Sequence, residues 1–334
     1  MAGELMKADI LEQPKAIERT ILESVKEAEV AAQLVKDRFV YITGSGTSYH
    51  ASLVLQRSLT RIADTSSVAI PASELKYWIP ENVKGTILVA ISQSGESSDI
   101  IDAVLAFKSK GGSVIAITNT PGSSLTKLAG TTILTRAGVE RAVAATKTYT
   151  CQLAVAFLLS IKISKLIGRN PSDLESELMA LPKEIEREIM LADKYVREVV
   201  PLLVKRPVGF ILGTGPNYPT ALEGALKLRE TSNLFIQAFA GREFLHGPIQ
   251  LVSKETPVIV LEPEKMPIVI KRVKSYDAPL ITIGKESDLL VEYNGPEEFY
   301  PMPYIIPLQF LSLQVSLARG LNPDKPEKLG KVVR

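Results

Sequence analysis

Four side chains able to donate hydrogen bonds crowd into Ser92-Gln93-Ser94-Gly95-Glu96-Ser97: the three serines and Gln93. An apolar, β-branched run over 86–91 precedes them and reads as a buried strand. A helical pattern follows, with Ile100, Ile101, Val104, Leu105 and Phe107, and stops at Gly111-Gly112. Strand, hydroxyl loop and helix N-terminus together make a place for an anion. The loop supplies donors, and the positive end of the helix dipole faces it. Phosphate is the anion that fits. Plain helix capping fits the same residues, since Ser is a good N-cap. The Glu96 carboxylate suits a phosphate site only if it turns away.

A second group sits at Glu223, Lys227 and Glu230, spaced i, i+4, i+7, so that one narrow helical stripe carries all three. Two readings are open. One is a solvated ion-pair helix. The other is a carboxylate base beside a lysine in a cleft, able to move a proton at carbon. His246 lies in Ala240-Gly-Arg-Glu-Phe-Leu-His246-Gly-Pro248, an irregular segment, which favours a functional histidine over a core one. His50, at the start of a helical run, reads as a capping or solvent-facing group. Lys331 sits in a tail rich in Pro and charge over 322–334, which by composition alone reads as a frayed terminus.

These groups must be carried by elements that the composition permits. The 334 residues suffice for two domains, and 46% hydrophobic with 23% charged residues is ordinary for a globular chain with a large core. Lys and Arg number 39 and Asp and Glu 37, so the net charge of +2 gives no bias toward nucleic acid or membrane. The single cysteine, Cys151, excludes an internal disulfide and a cysteine metal cluster, and in its apolar stretch reads as a buried inert thiol. With two histidines and no H-E-x-x-H pattern, no metal site is expected. Gly44-x-Gly46 lacks the third glycine and the downstream acid of a dinucleotide fingerprint, so no cofactor is expected. The N-terminus has no apolar signal region, and the apolar stretch 153–161 is broken by Lys162. The expectation is a cytoplasmic protein with no membrane and no nucleic-acid partner.

Along the chain, residues 1–14 read as an irregular arm and 16–36 as a helix, giving an N-terminal arm and helix over 1–37. Strands are predicted at 39–43, 67–70, 86–91, 113–118 and 131–135, alternating with helices, which argues for a doubly wound parallel sheet over 38–168. Ligands in such sheets sit at the carboxyl ends of the strands, where both the Gly44–Tyr49 turn and the serine loop fall. A long helix is predicted over 142–168 and a helical linker over 169–206. Then the pattern repeats. Phe39-Val-Tyr-Ile-Thr-Gly44-Ser-Gly46-Thr-Ser-Tyr49 matches Val208-Gly-Phe-Ile-Leu-Gly213-Thr-Gly215-Pro-Asn-Tyr218, and strands at 257–261 and 280–283 follow in matching order. The second copy, 207–320, ends in a tail over 321–334. In place of the serine loop it has Glu262-Pro-Glu264-Lys-Met-Pro267, which has lost every hydroxyl. The first copy is therefore expected to hold phosphate and the second to supply scaffold and catalytic groups.

Taken together, Asp9–Ile17, Gly44–Tyr49, Ile91–Ser97, Ala142–Lys147, Ala221–Glu230, Gly241–Pro248 and Leu329–Lys331 resemble, in order and from end to end, the isomerase half of glutamine–fructose-6-phosphate aminotransferase. The resemblance implies an α/β fold of two tandem sugar isomerase (SIS) domains, each a parallel sheet flanked by helices. It implies that Ser45, Thr47, Ser48, Ser92, Gln93, Ser94 and Ser97 hold a sugar phosphate. Val143 and Ala144 would contact the sugar through backbone, and Glu223 would line the site. Glu230 would shuttle a proton between C1 and C2, with Lys227 supporting the enediol or enolamine. His246, expected from a neighbouring subunit of a homodimer, would open the sugar ring. Lys331 would meet the ketose carbonyl as the tail closes over the site.

Two positions depart from the family pattern: Ser45 stands for a usual Cys, and Ala145 for a common Ser. A glutaminase half with its catalytic Cys is not found in these residues, so ammonia is not expected to be drawn from glutamine by this chain alone. The expected activity is a glucosamine-6-phosphate deaminase acting on a hexose or amino-hexose 6-phosphate. The alternatives are the synthase subunit of a split aminotransferase with a separate glutaminase chain, a plain phosphosugar isomerase, and a non-catalytic phosphosugar sensor.

Overall fold

The first copy begins with β1 (Val40–Gly44), whose chain must turn sharply into α3 (Thr47–Ala63), after α1 (Glu4–Glu23) and α2 (Val25–Val35). This computed structural model describes residues 2–331. A Cβ on Gly44 would sit 2.5 Å from the Ser48 main chain, and Gly46 takes φ +54, so only glycines let the helix return this closely over the strand. The same device recurs in the second copy between β6 (Val208–Gly213) and α10 (Asn217–Ser232). There a Cβ on Gly213 would meet the Asn217 carbonyl at 2.1 Å, and Gly215 takes φ +53.

The first copy continues through β2 (Ser67–Pro71), α4 (Leu75–Trp78), β3 (Ile87–Ser92), α5 (Ser98–Ser109), β4 (Ser113–Thr118), α6 (Ser124–Leu128) and β5 (Thr131–Leu134). Between the copies run α7 (Lys147–Leu166), α8 (Ser172–Val199) and α9 (Pro201–Val204). The second copy adds β7 (Phe235–Ala240), β8 (Val258–Leu261), α11 (Pro267–Lys274), β9 (Leu280–Gly284), β10 (Leu289–Leu290) and α12 (Pro301–Ala318). Among the described residues the strands form two five-stranded parallel sheets, ordered β2-β1-β3-β4-β5 and β10-β9-β8-β6-β7. Read from the other end, the second order matches the first strand for strand. The architecture is the expected α/β fold of two tandem units, each a parallel sheet flanked by helices.

The described chain divides into two compact units. One holds residues 13–140, 147–182 and 330–331. All six residues of β3 are buried, as a central parallel strand covered on both faces requires. Leu88 and Ala90 pack with Ile100, Val104 and Phe107 of α5. α7 packs on α2 and α3 in the same unit. It is long and apolar enough to cross a membrane by length and composition, yet 83% of that window is buried inside the protein, which makes it a core helix. Its Cys151 is fully buried, and burial pushes the thiol up to about 12 against a hydrogen bond with Thr20 that pulls it down. The other unit holds residues 2–12, 141–146 and 183–329. Phe210, Leu212, Val258 and Val260 pack with Phe244 and with Val269 and Val273 of α11. α12 packs along α10.

The helix expected over 16–36 is divided at Ser24 into the end of α1 and all of α2, and two further differences from the sequence reading bear on the site. The arm expected over 1–14 is helical: α1 starts at Glu4 and passes through Pro14. Proline in a helix interior costs about 3 kcal/mol or more. Full burial of Met6, Ile10, Ile17 and Ile21 stabilises by roughly 1.5–3 kcal/mol each and offsets it. The long helix expected from Ala142 starts instead at Lys147. The Glu140 carboxylate accepts the N–H groups of Lys147 (3.1 Å) and Thr148 (3.3 Å) and the Thr148 hydroxyl, closing the helix at that point. The preceding N–H groups bond to Asp9 instead of continuing the helix.

Candidate functional site

In the first-copy unit, the serine loop follows the last residue of β3, and a serine hydroxyl spans each half of its turn. Ser92 Oγ accepts the Gly95 N–H (3.1 Å) and Ser94 Oγ accepts the Glu96 N–H (3.2 Å). A hydroxyl that accepts in this way keeps its own proton to give to another acceptor. The Gln93 carbonyl receives the Asn119 N–H at 3.1 Å and the hydroxyls of Thr118 and Thr120 at 3.3 Å, which fixes the loop against the end of β4. Gly95 takes φ +66, and a Cβ there would lie 2.2 Å from Ser123 Oγ.

Glu96, the residue that argued against an anion, turns away. Its carboxylate accepts the Ser124 N–H (2.9 Å) and hydroxyl (2.7 Å), capping α6. Plain capping does not account for the serines: Ser97 stands at the N-cap of α5 without a side-chain capping bond. At the neighbouring turn the N-cap of α3 is Gly46, which has no side chain to offer. Both helices therefore present N-termini uncapped by side chains, and Ser45, Thr47 and Ser48 line the second. Gln152 of α7 donates to Ser48 Oγ at 3.1 Å, again leaving that hydroxyl its proton. Lys331 joins Gln93, Asn119, Thr120, Pro121 and Glu140 around a cleft of about 620 Å³ in this unit. The tail residue that composition reads as frayed thus lies beside the loop.

In the second-copy unit, α10 brings Glu223, Lys227 and Glu230 together. Lys227 Nζ lies 3.3 Å from Glu223 and 2.6 Å from Glu230. The cluster is not a solvated ion-pair helix, because Lys227 and Glu223 are each 1% exposed. Glu230 is 22% exposed and is the member open to a ligand. Burial alone lowers the Lys227 amine, but Glu223 and then Glu230 outweigh it and hold it above its usual range, so the lysine stays charged. Glu230 also borders a cavity of about 570 Å³ formed with Arg229 and the tail segment Lys325–Leu329. His246 sits elsewhere in the unit, exposed at the end of a single-turn 3₁₀ helix (Glu243–His246) that is anchored by the buried Phe244 and ends at Gly247 with φ +144. Val143 and Ala144 lie in the loop before α7, Val143 half-buried and Ala144 buried.

Three residues escape the sequence reading. Glu140 ends the loop and caps α7, and its signal was available as a carboxylate shortly before a hydroxyl-rich helix start. Asp9 and Asp324 hold the Arg141–Val143 backbone from far along the chain, and no local pattern marks them.

Paired glycine turns, two parallel sheets of one strand order and a hydroxyl loop at a strand end define a duplicated α/β protein. Residues 33–162 and 202–319 match the SIS domain family, and the chain belongs to it. It is 39% identical over 342 residues to a glutamine–fructose-6-phosphate aminotransferase [isomerizing] of Pyrococcus horikoshii, covering 98% of this chain and 57% of that protein. The Thermotoga maritima protein of the same name is 33% identical, with 98% and 58% covered. The chain therefore spans a little over half the length of these relatives. Among solved structures, the C-terminal domain of glucosamine-fructose-6-phosphate aminotransferase from Francisella tularensis is 30% identical with a TM-score of 0.87, covering 97% of this chain and 98% of that one. A glucosamine-6-phosphate deaminase from Thermotoga maritima, 24% identical with a TM-score of 0.79 and 99% of each chain covered, shares the fold.

Proposed function

We propose that this chain is an enzyme interconverting glucosamine 6-phosphate and fructose 6-phosphate plus ammonia. The observation that carries the reading is the charged, buried Lys227 held 2.6 Å from a partly open Glu230. Such a pair suits proton transfer at carbon, with the cation stabilising the enediol or enolamine oxygen that develops. Ser45, Thr47, Ser48, Ser92, Gln93, Ser94 and Ser97 bind the 6-phosphate, and Val143 and Ala144 meet the sugar through backbone. His246 assists ring opening, and its exposure suits a group offered to a second subunit of a homodimer. Glu230 takes the C2 proton of the open-chain aldose and returns it to C1. Water then hydrolyses the C2 imine, releasing ammonia and leaving the ketose. Lys331 is the amine that meets the C2 carbonyl. The substrates are water-soluble, and we place the protein in the cytoplasm.

Supplying glucosamine 6-phosphate and assaying ammonia and fructose 6-phosphate tests this directly. No product in either direction, with glucosamine 6-phosphate or with fructose 6-phosphate plus ammonium, sinks the reading. A second reading, the synthase subunit working with a separate glutaminase, is favoured by the names of the relatives. Cys151 is buried with its thiol pushed up, so it is no nucleophile for glutamine. Glutamine-dependent synthesis appearing only when a co-purifying glutaminase is added would favour that second reading.

A further inference from the structure

Val143 and Ala144 lie in a loop whose backbone is held by two distant carboxyl residues. Asp9, fully buried in α1, accepts the N–H groups of Arg141 (2.7 Å) and Ala142 (3.0 Å) on one oxygen, Oδ2. The next N–H, that of Val143, donates to the main-chain carbonyl of Asp324 at 3.0 Å. Asp324 is itself fixed, because its Oδ1 accepts the Met6 N–H at 2.8 Å. Met6 is in the first turn of α1, where N–H groups lack helical partners and the dipole favours a carboxylate. Further along, Gln309 of α12 donates to the Thr146 carbonyl at 3.4 Å. Arg141 is held from its side chain too, by Glu12 at 3.0 Å.

We propose that Asp9 and Asp324 are positioning residues that set the Val143–Ala144 peptide for the sugar, a statement that rests on the sugar contact proposed above. Peptide groups are planar, so fixing three consecutive N–H groups fixes the planes up to Val143. Only the two Val143 dihedrals then lie between them and the Val143–Ala144 plane, with the Gln309–Thr146 bond limiting the chain on the far side. Bonds to a charged oxygen are stronger than neutral ones, and the buried Asp9 carboxylate spends Oδ2 on these two N–H groups while Oδ1 lies 3.8 Å from the Arg141 guanidinium. Asp324 also stands at the root of the tail that carries Lys331. One residue thereby anchors both the sugar loop and the start of the tail.

The test uses the full chain with Asp9→Ala, Asp9→Asn and Asp324→Ala, reading KM and kcat with glucosamine 6-phosphate and amide exchange over 141–143. Asp9→Ala should raise KM about tenfold. Asp9→Asn, whose amide oxygen still accepts both N–H groups, should stay within about twofold of wild type. KM does not depend on how much of a preparation is folded, so a merely structural loss would lower only the amplitude. Unchanged KM in Asp9→Ala with faster exchange at 141–143 overturns the proposal, because the loop is then released without effect on the sugar. Should Asp9→Ala fail to fold, Asp324→Ala decides, with an unchanged KM overturning the proposal. A wild-type chain without turnover counts against the activity alone. Calorimetric affinity for fructose 6-phosphate then decides this proposal, with equal affinity in wild type and Asp9→Ala overturning it.

Discussion

At the end of β3 the first copy places Ser92, and at the end of β8 the second copy places Glu262. Ser92 begins a loop of hydroxyls that keep their protons to give. Glu262 is fully buried, takes the left-handed backbone at φ +52, and accepts from Asn217 Nδ2 at 2.8 Å while pairing with Lys265 at 2.6 Å. Asn217 occupies the position that Ser48 occupies in the first copy, by the alignment of the two glycine turns. The strand end proposed to hold an anion in one copy is therefore filled by a carboxyl group of the chain itself in the other. The fold favours a negative charge at this strand end, where helix N-termini face it. One copy places its own Glu262 carboxyl group there, and the other is the one proposed to take a ligand.

This division of labour can be broken in several ways. The largest effect is expected from Glu230→Gln, which should lower kcat by about 10²–10⁴-fold while affinity for fructose 6-phosphate holds. Unchanged turnover would remove the proton shuttle from the second copy and with it the division. Copying the second loop into the first, Ser92→Glu, should raise KM for the sugar phosphate by more than about 100-fold through repulsion of the phosphate. Wild-type KM in that variant would show that phosphate binds elsewhere.

The second-copy unit also carries a buried acid that should make stability depend on pH. Glu188 of α8, 1% exposed, is raised to about 7 from an ordinary 4.5, chiefly by burial, with the backbone N–H groups of Glu292 and Tyr293 pulling it back. The folded chain then holds this proton more tightly than the unfolded chain. Its contribution is full below about pH 4.5 and fades as pH rises toward 7, by about 2 kcal/mol between pH 5 and 7. Urea unfolding of wild type and Glu188→Gln across that range checks the sign, since the variant should lose the slope. The smallest effect is expected from Glu262→Gln. Its amide oxygen still accepts from Asn217, and Lys265 is 37% exposed, so stability should fall by only about 1 kcal/mol. Sugar kinetics should not change, and a raised KM there would mean that the second loop does more than fill its own pocket.

Much of this was legible because the signals are local. The β3–loop–α5 unit is written in adjacent residues, and the glycine turns repeat at matching places. The Glu223–Lys227–Glu230 spacing placed three groups on one stripe, but only burial separates a solvated helix from a cluster. What was not legible depends on distance or on context. β7 is an edge strand of mixed burial, so neither alternation nor a continuous apolar run marks it. α12 is apolar on every face and contains Pro307, which hides the helical period. Asp324 and Met6 are 318 residues apart in sequence, and Asp9 and Ala142 are 133 apart. No window along the chain contains both members of either pair.

Cys151 gives the molecule a built-in reporter. A thiol that is sealed within α7 and kept protonated cannot meet an alkylating reagent while the native packing lasts. Its labelling rate in native buffer therefore counts the openings of that helix, one cysteine to one event. Sugar phosphate that binds only the closed form should slow that clock in proportion to its occupancy. Ligand binding could then be followed on the unmodified chain, with neither a dye nor an enzyme assay.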